Sequence, residues 1–235
     1  MKKSFALTIA LMMLLSGCGL ITDKFEPEPS RAQTPQISET ADSAPVYNET
    51  AEKYYDYFEK NNHIYLLLDN ETGKEGFSDA EMAGFALCEL ILKSDMSYEQ
   101  ETGFPKEDID AVVEKCFGTA VQNYENKKTT IVPKTGNITS TGWGGSAVRF
   151  VLKELETDQN GINTAVFYQF NFGMDGISPT AREDLLQGKF DSYGEPFLVT
   201  VTFEEKLDEN NDMYLRYYEV KSNGAAEAPY EVYQG

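Results

Sequence analysis

The stretch Val148-Arg149-Phe150-Val151-Leu152-Lys153, followed after Asp158-Gln159-Asn160-Gly161 by residues 162–172, decides the fold class. Val148, Phe150 and Leu152 alternate with Arg149 and Lys153. In the second run Ile162, Val166, Tyr168, Phe170 and Phe172 alternate with Asn163, Gln169 and Asn171. Successive side chains of a strand point to opposite faces, so a period of two predicts two strands, each with one apolar face. Asn160-Gly161 suits the positive φ angles of a tight hairpin turn. Downstream, Phe197, Val199, Val201 and Phe203 alternate with Thr200, Thr202 and Glu204, and a polar turn at 208–212 leads into Tyr214-Leu215-Arg216-Tyr217-Tyr218. Two consecutive hairpins follow from this pattern.

Upstream of residue 129 the period is close to 3.6. Tyr47, Ala51, Tyr54, Tyr55 and Phe58 fall on a stripe flanked by acids and lysines, which predicts a helix over 46–60 ended by Asn61-Asn62. Its aromatics read as core rather than as a ligand platform. The apolar run at 63–68 fits either a strand or a buried helix, and 69–76 has the composition of a turn. Ser78-Asp79-Ala80-Glu81 is a capping box, in which the serine oxygen takes a first-turn N–H and Glu81 reaches back to the serine N–H. The helix it opens runs to Lys93 with Phe85, Cys88, Ile91 and Leu92 on one side. Phe104-Pro105 opens another, on whose stripe lie Ile109, Val112, Val113, Cys116, Phe117, Ala120, Val121 and Tyr124. Gly118, off that stripe, marks a kink or an end. Ser178-Pro179 starts a short helical turn that Gly188 stops. Helices first and a meander afterwards predict an α+β domain, with N-terminal helices packed on one face of a C-terminal antiparallel sheet. This order of elements is similar to the cystatin or nuclear-transport-factor-2-like cone, a likeness without a motif that carries no function.

The chain opens with Lys2 and Lys3, an apolar run over 5–15 broken only by Thr8, and Leu15-Ser16-Gly17-Cys18. That is the layout of a secretory signal. Eleven residues rise about 16 Å as a helix, half of the ~30 Å hydrocarbon core, so the run is too short for a permanent span. Leu15, Ser16, Gly17 and Cys18 resemble the lipobox of the bacterial lipoprotein signal. The resemblance implies that residues 1–17 are removed as a signal peptide and that Cys18 becomes a lipidated first residue. The protein is then expected at the cell membrane, lipid-anchored on its extracytoplasmic face and held by more than one acyl chain. Residues 18–45 read as a flexible linker, rich in Pro, Glu, Ser and Thr and poor in large apolar side chains. A single domain is expected over 46–223, with 224–235 as a loose tail apart from Tyr230 and Tyr233.

Charge and cysteine usage narrow the function. With 20 basic and 39 acidic residues the net charge is −19, and it reaches −21 once Lys2 and Lys3 leave with the signal. Such a surface repels phosphate backbones, so no nucleic-acid partner is expected. Once Cys18 is lipidated, Cys88 and Cys116 are left as an even pair, either a disulfide or two buried thiols behaving as small apolar residues. The only histidine, His63, sits inside an apolar run and reads as a structural residue rather than a catalytic base. Residues 142–147 match Gly-x-Gly-x-x-Ala, but a strand follows where dinucleotide binding needs a helix. Asp208, Asn210, Asp212 and Glu219 mimic calcium-loop spacing but carry Met213 where glycine belongs, and strands flank them. No metal and no cofactor is expected. The reading is a non-enzymatic surface lipoprotein whose domain binds a partner protein, a peptide or a small ligand. Candidate contacts are Trp143 and the polar side of the sheet at Arg149, Lys153, Gln169 and Thr200. The alternative is a carboxylate-dependent hydrolase acting on envelope glycans.

Overall fold

A computed structural model describes residues 47–68, 76–94, 101–142, 147–172 and 177–235. Cys18 and the linker, the turn at 69–75 and Trp143 lie outside these residues. The compact unit Pro45–Gly235 opens with helix α1, Glu49–Lys60. The Asn48 side chain caps it by accepting the N–H groups of Thr50 and Ala51. The run at 63–68 is neither strand nor α-helix but a 3₁₀ turn, Asn62–Leu68, burying Ile64 and Leu67. Helix α2, Asp79–Lys93, carries the expected capping box: Glu81 N–H donates to Ser78 Oγ, and Ser78 N–H donates to Glu81 Oε2 at 2.7 Å. Leu92 departs from its expected face and is exposed.

Helix α3, Lys106–Phe117, ends where Gly118 takes φ +66°, a left-handed turn that glycine enters without steric cost. Val121 and Tyr124 keep to the stripe and are buried beyond the helix, whereas Ala120 is exposed. A small hairpin pairs β1, Thr129–Ile131, with β2, Ile138–Ser140. The main sheet is an antiparallel meander of β3, Val148–Thr157, β4, Ile162–Asn171, β5, Phe197–Leu207, and β6, Met213–Ala225. Helix α4, Ala181–Leu186, lies between β4 and β5. The mixed α+β class, helices first and sheet last, is as the periodicities predict.

Both hairpins of the main sheet, β3–β4 and β5–β6, turn on an aspartate. Asp158 Oδ1 accepts the N–H groups of Asn160 and Ile162, and Asp208 Oδ1 those of Asn210 and Asp212. Only the fourth turn residue has positive φ, Gly161 at +81° and Asn211 at +64°. Asn160-Gly161 is therefore not the two-residue turn expected of that pair, which needs positive φ at both positions. The same pattern accounts for the spacing at 208–212 that resembles a calcium loop.

The N-terminal helices cover one side of the sheet as expected, and a second cluster covers part of the other. Phe150, Phe167, Val199, Val201, Phe203 and Leu215 pack against Tyr54 and Phe58 of α1, the 3₁₀ turn, and Phe85 and Cys116. Edge-to-face ring contacts join Phe58 to Phe167 at 5.0 Å and Tyr54 to Phe203 at 5.5 Å. The opposite side buries Val151, Tyr168 and Phe170 under Ala181, Leu185, Leu186 and Phe190. The stripe read from β4 at Tyr168 and Phe170 thus faces α4, while the N-terminal helices sit on Ala165 and Phe167, one residue out of step. A one-residue offset moves a strand's side chains to the other face.

Residues 226–235 are not loose. Tyr230 stacks against Phe190 at 5.1 Å and Tyr168 at 5.8 Å, Glu231 N–H donates to Tyr168 Oη, and Tyr233 N–H donates to Leu152 O at 3.0 Å. The segment leaves β6, crosses beneath the sheet and caps the edge strand β3 beside its bulge at Leu152 and Glu154. The packed unit therefore extends past residue 223.

Candidate functional site

The polar sheet positions do not form one site. Gln169 pairs in register with Phe150 and is buried on the helix side, whereas Arg149 pairs with Phe170 on the α4 side. Arg149 is committed, with Nη2 3.0 Å from Glu59 Oε1 and Nη1 donating to Val148 O. Lys153, the bulge residue, is ion-paired to Glu154. Thr200 shares its face with Val166 and accepts a hydrogen bond from Asn223 Nδ2 at 2.6 Å. The alternation test sees residues two apart as one face, and the bulge together with the second packing layer breaks that equivalence.

Cys88 and Cys116 are free buried thiols, so the disulfide alternative gives way to the packing one. Burial pushes each thiol up to about 12, far from the thiolate a nucleophile needs. They border different cavities. Cys88 lines an apolar hollow of about 190 Å³ with Tyr65, Leu66, Leu87 and Gly142. Cys116 lies in the wall of a larger cleft of about 350 Å³, within the size range of small-ligand sites, about 300–1,000 Å³.

The large cleft is assembled from residues far apart in sequence. Its apolar floor is Tyr57 and Leu92 in the last turns of α1 and α2, Phe85 and Val112 from the middle of α2 and α3, and Met213 at the start of β6. Each helix adds a lysine from its last turn: Lys60, Lys93 and Lys115. Lysines there oppose the negative end of the helix dipole, which is reason enough for their place in the sequence. The convergence of three such ends on one opening is a product of the fold. The second hairpin supplies Asp208 and Asp212 across from them.

Glu89 is the acid set into the wall. His63, 1% exposed, brings Nε2 to 3.2 Å from Glu89 Oε2, and Lys93 pairs with the other oxygen. Burial pushes the Glu89 pKa up, but the bonds and charges of His63 and Lys93 outweigh it and hold the carboxyl at about 2. Lys115 Nζ lies 3.0 Å from Asp208 Oδ2 and 4.5 Å from the centre of the Tyr214 ring. Tyr57 accepts Leu215 N–H at its hydroxyl, and burial raises its pKa.

Sequence reasoning passes over this cleft because each lining residue has a local role as a helix-end lysine, a stripe residue or a turn aspartate. Leu92, placed by its spacing on the core stripe of α2 yet 44% exposed, is a lining residue that departs from its sequence expectation. Among the described residues no three His, Cys, Asp or Glu side chains come together to hold a metal ion, and no helix is long and apolar enough to cross a membrane. Compared with protein-family models, curated proteins and solved structures, the chain finds no match.

Proposed function

We propose that the protein is a lipid-anchored envelope lipoprotein whose folded unit is a ligand-binding module, non-enzymatic, with its site in the cleft between the three helix ends and the second hairpin. The address rests on the signal at Lys2, Lys3 and Leu15-Ser16-Gly17-Cys18. The binding role rests chiefly on one observation: a 350 Å³ opening with an apolar floor and charges of both signs around it. The groups beside it suit recognition better than catalysis. Glu89 is held ionised at about 2, the reverse of the raised pKa a general acid needs to cleave a glycan, and the Cys116 thiol is held protonated.

Two measurements test this. Intact-mass analysis of protein extracted from its native membrane is expected to give a chain starting at a diacylglycerylated Cys18; an unmodified thiol there removes the address. For the site, small neutral aromatic fragments are expected to shift the amide resonances of Leu92, Val112 and Tyr214, and to stop doing so in Val112→Trp, which narrows the opening. Shifts confined to Thr164 and Thr200 on the far side of the sheet would place binding elsewhere.

A further inference from the structure

Six charged side chains line the cleft, and four are spent on one another. Lys93 is bound to Glu89, and Lys115 to Asp208. The other two, Lys60 and Asp212, have neither an ion pair nor a side-chain hydrogen bond among the described residues, and both are exposed. The turn gives no structural reason for an acid at 212. Asp208 receives the backbone N–H groups of Asn210 and Asp212, while the Asp212 carboxylate receives none: Asp212 takes part in the turn only through its backbone N–H and its carbonyl, which accepts Asp208 N–H. Lys60 likewise differs from its two counterparts at the ends of α2 and α3 in lacking an acid.

From this we infer that the cleft takes a small zwitterion with an apolar body, of the class of an apolar dipeptide with free termini. The apolar side chains rest on Phe85, Leu92, Val112 and Met213, the ligand carboxylate faces Lys60, and its ammonium faces Asp212. The inference rests on the cleft reading above and specifies it. A free amine and a free carboxylate on one small apolar molecule complement one unpaired anion and one unpaired cation beside an apolar floor. A purely anionic ligand would leave Asp212 facing like charge, and a cationic one would do the same to Lys60. At −19 net, the chain has no general attraction for anions, so a carboxylate must be recognised locally.

The test uses the full chain in detergent and three probes: the dipeptide Leu-Leu, its N-acetyl form and its C-terminal amide. Titration calorimetry at pH 7 is expected to show each capped form bound roughly fivefold more weakly, the upper range for a solvated ion pair. Lys60→Met is expected to erase the preference over the amide alone, and Asp212→Asn the preference over the acetyl form alone. Both substitutions are on the surface and leave the core untouched. Equal binding of all three probes overturns the zwitterion but leaves an apolar site in the cleft. Failure of all three, with the neutral fragments still shifting Leu92 and Val112, also overturns the ligand class and keeps the cleft. Failure of the fragments as well removes both.

Discussion

The two sides of the main sheet solve the same problem with different material. One side is roofed by α1, the 3₁₀ turn, α2 and α3, with Phe58, Phe150 and Phe167 in mutual ring contact and Phe85 packed edge-on against Phe117 and Tyr217. The other is covered only in part, by the six residues of α4, by Phe190, by Tyr55 of α1 and by the chain from Ala226 to Tyr230. Beyond them Thr164 stands exposed, with Thr200 and Thr202 half-buried on the same face. The difference shows that apolar alternation in a strand predicts burial without predicting what does the burying. Long helices make a rigid roof, whereas a short helix and an extended segment can settle into a void.

The largest expected effect follows from that contrast. Phe167→Ala, on the helix side, should cost towards about 5 kcal/mol, and Phe170→Ala, on the α4 side, nearer about 3 kcal/mol, because a yielding cover collapses better into the space left. Urea denaturation measures both, and equal losses would break the comparison. Next comes acid. The Glu89 carboxyl sits at about 2 against an ordinary 4.5, so its contribution is complete above pH 4.5 and disappears as pH falls through 2. Over that window its loss amounts to something on the order of 3 kcal/mol. Glu89→Gln should therefore be less stable than the native chain at pH 6, and the gap should close by pH 2; a gap independent of pH would show that the His63 and Lys93 contacts do no more than offset the cost of burying the carboxylate.

Smaller effects sharpen the comparison. Gly118→Ala puts a Cβ 2.7 Å from Arg216 Nη2 at φ +66°, in the α3 cap on the roofed side, and should cost about 1–2 kcal/mol in thermal or urea melts. Ser78→Ala, which removes the capping box of α2, should cost about 1 kcal/mol. Thr164→Lys on the bare half of the sheet should stay within about 0.5 kcal/mol. A larger loss there would mean that this half is covered after all.

Much of the architecture was legible because it is local. The capping box at Ser78 and Glu81, the stop at Gly118 and the turn at Asp208 depend on a few neighbouring residues, and each is found where the pattern puts it. The misses are those that depend on distant partners. Tyr168 and Phe167 are equally apolar neighbours, and nothing within β4 says which of them meets α1 and which meets Phe190. The segment 224–235 reads as a tail apart from Tyr230 and Tyr233 because a stretch with few apolar residues can still be held by two aromatic contacts and two backbone bonds. The cleft was invisible for the same reason: Lys60 and Asp212 are 152 positions apart, and only folding sets them around one opening.

The path of the last ten residues also has a topological outcome. After crossing under the sheet the chain finishes beside the cap of the first helix, where a Cβ on Gly235 would stand 3.2 Å from Asn48 Nδ2. The two extremities of the packed unit are thus close enough to be joined by a short glycine bridge. The hairpin loop around Asn160 then becomes a natural place to cut the backbone, which makes a circularly permuted version of this fold accessible without disturbing either layer over the sheet.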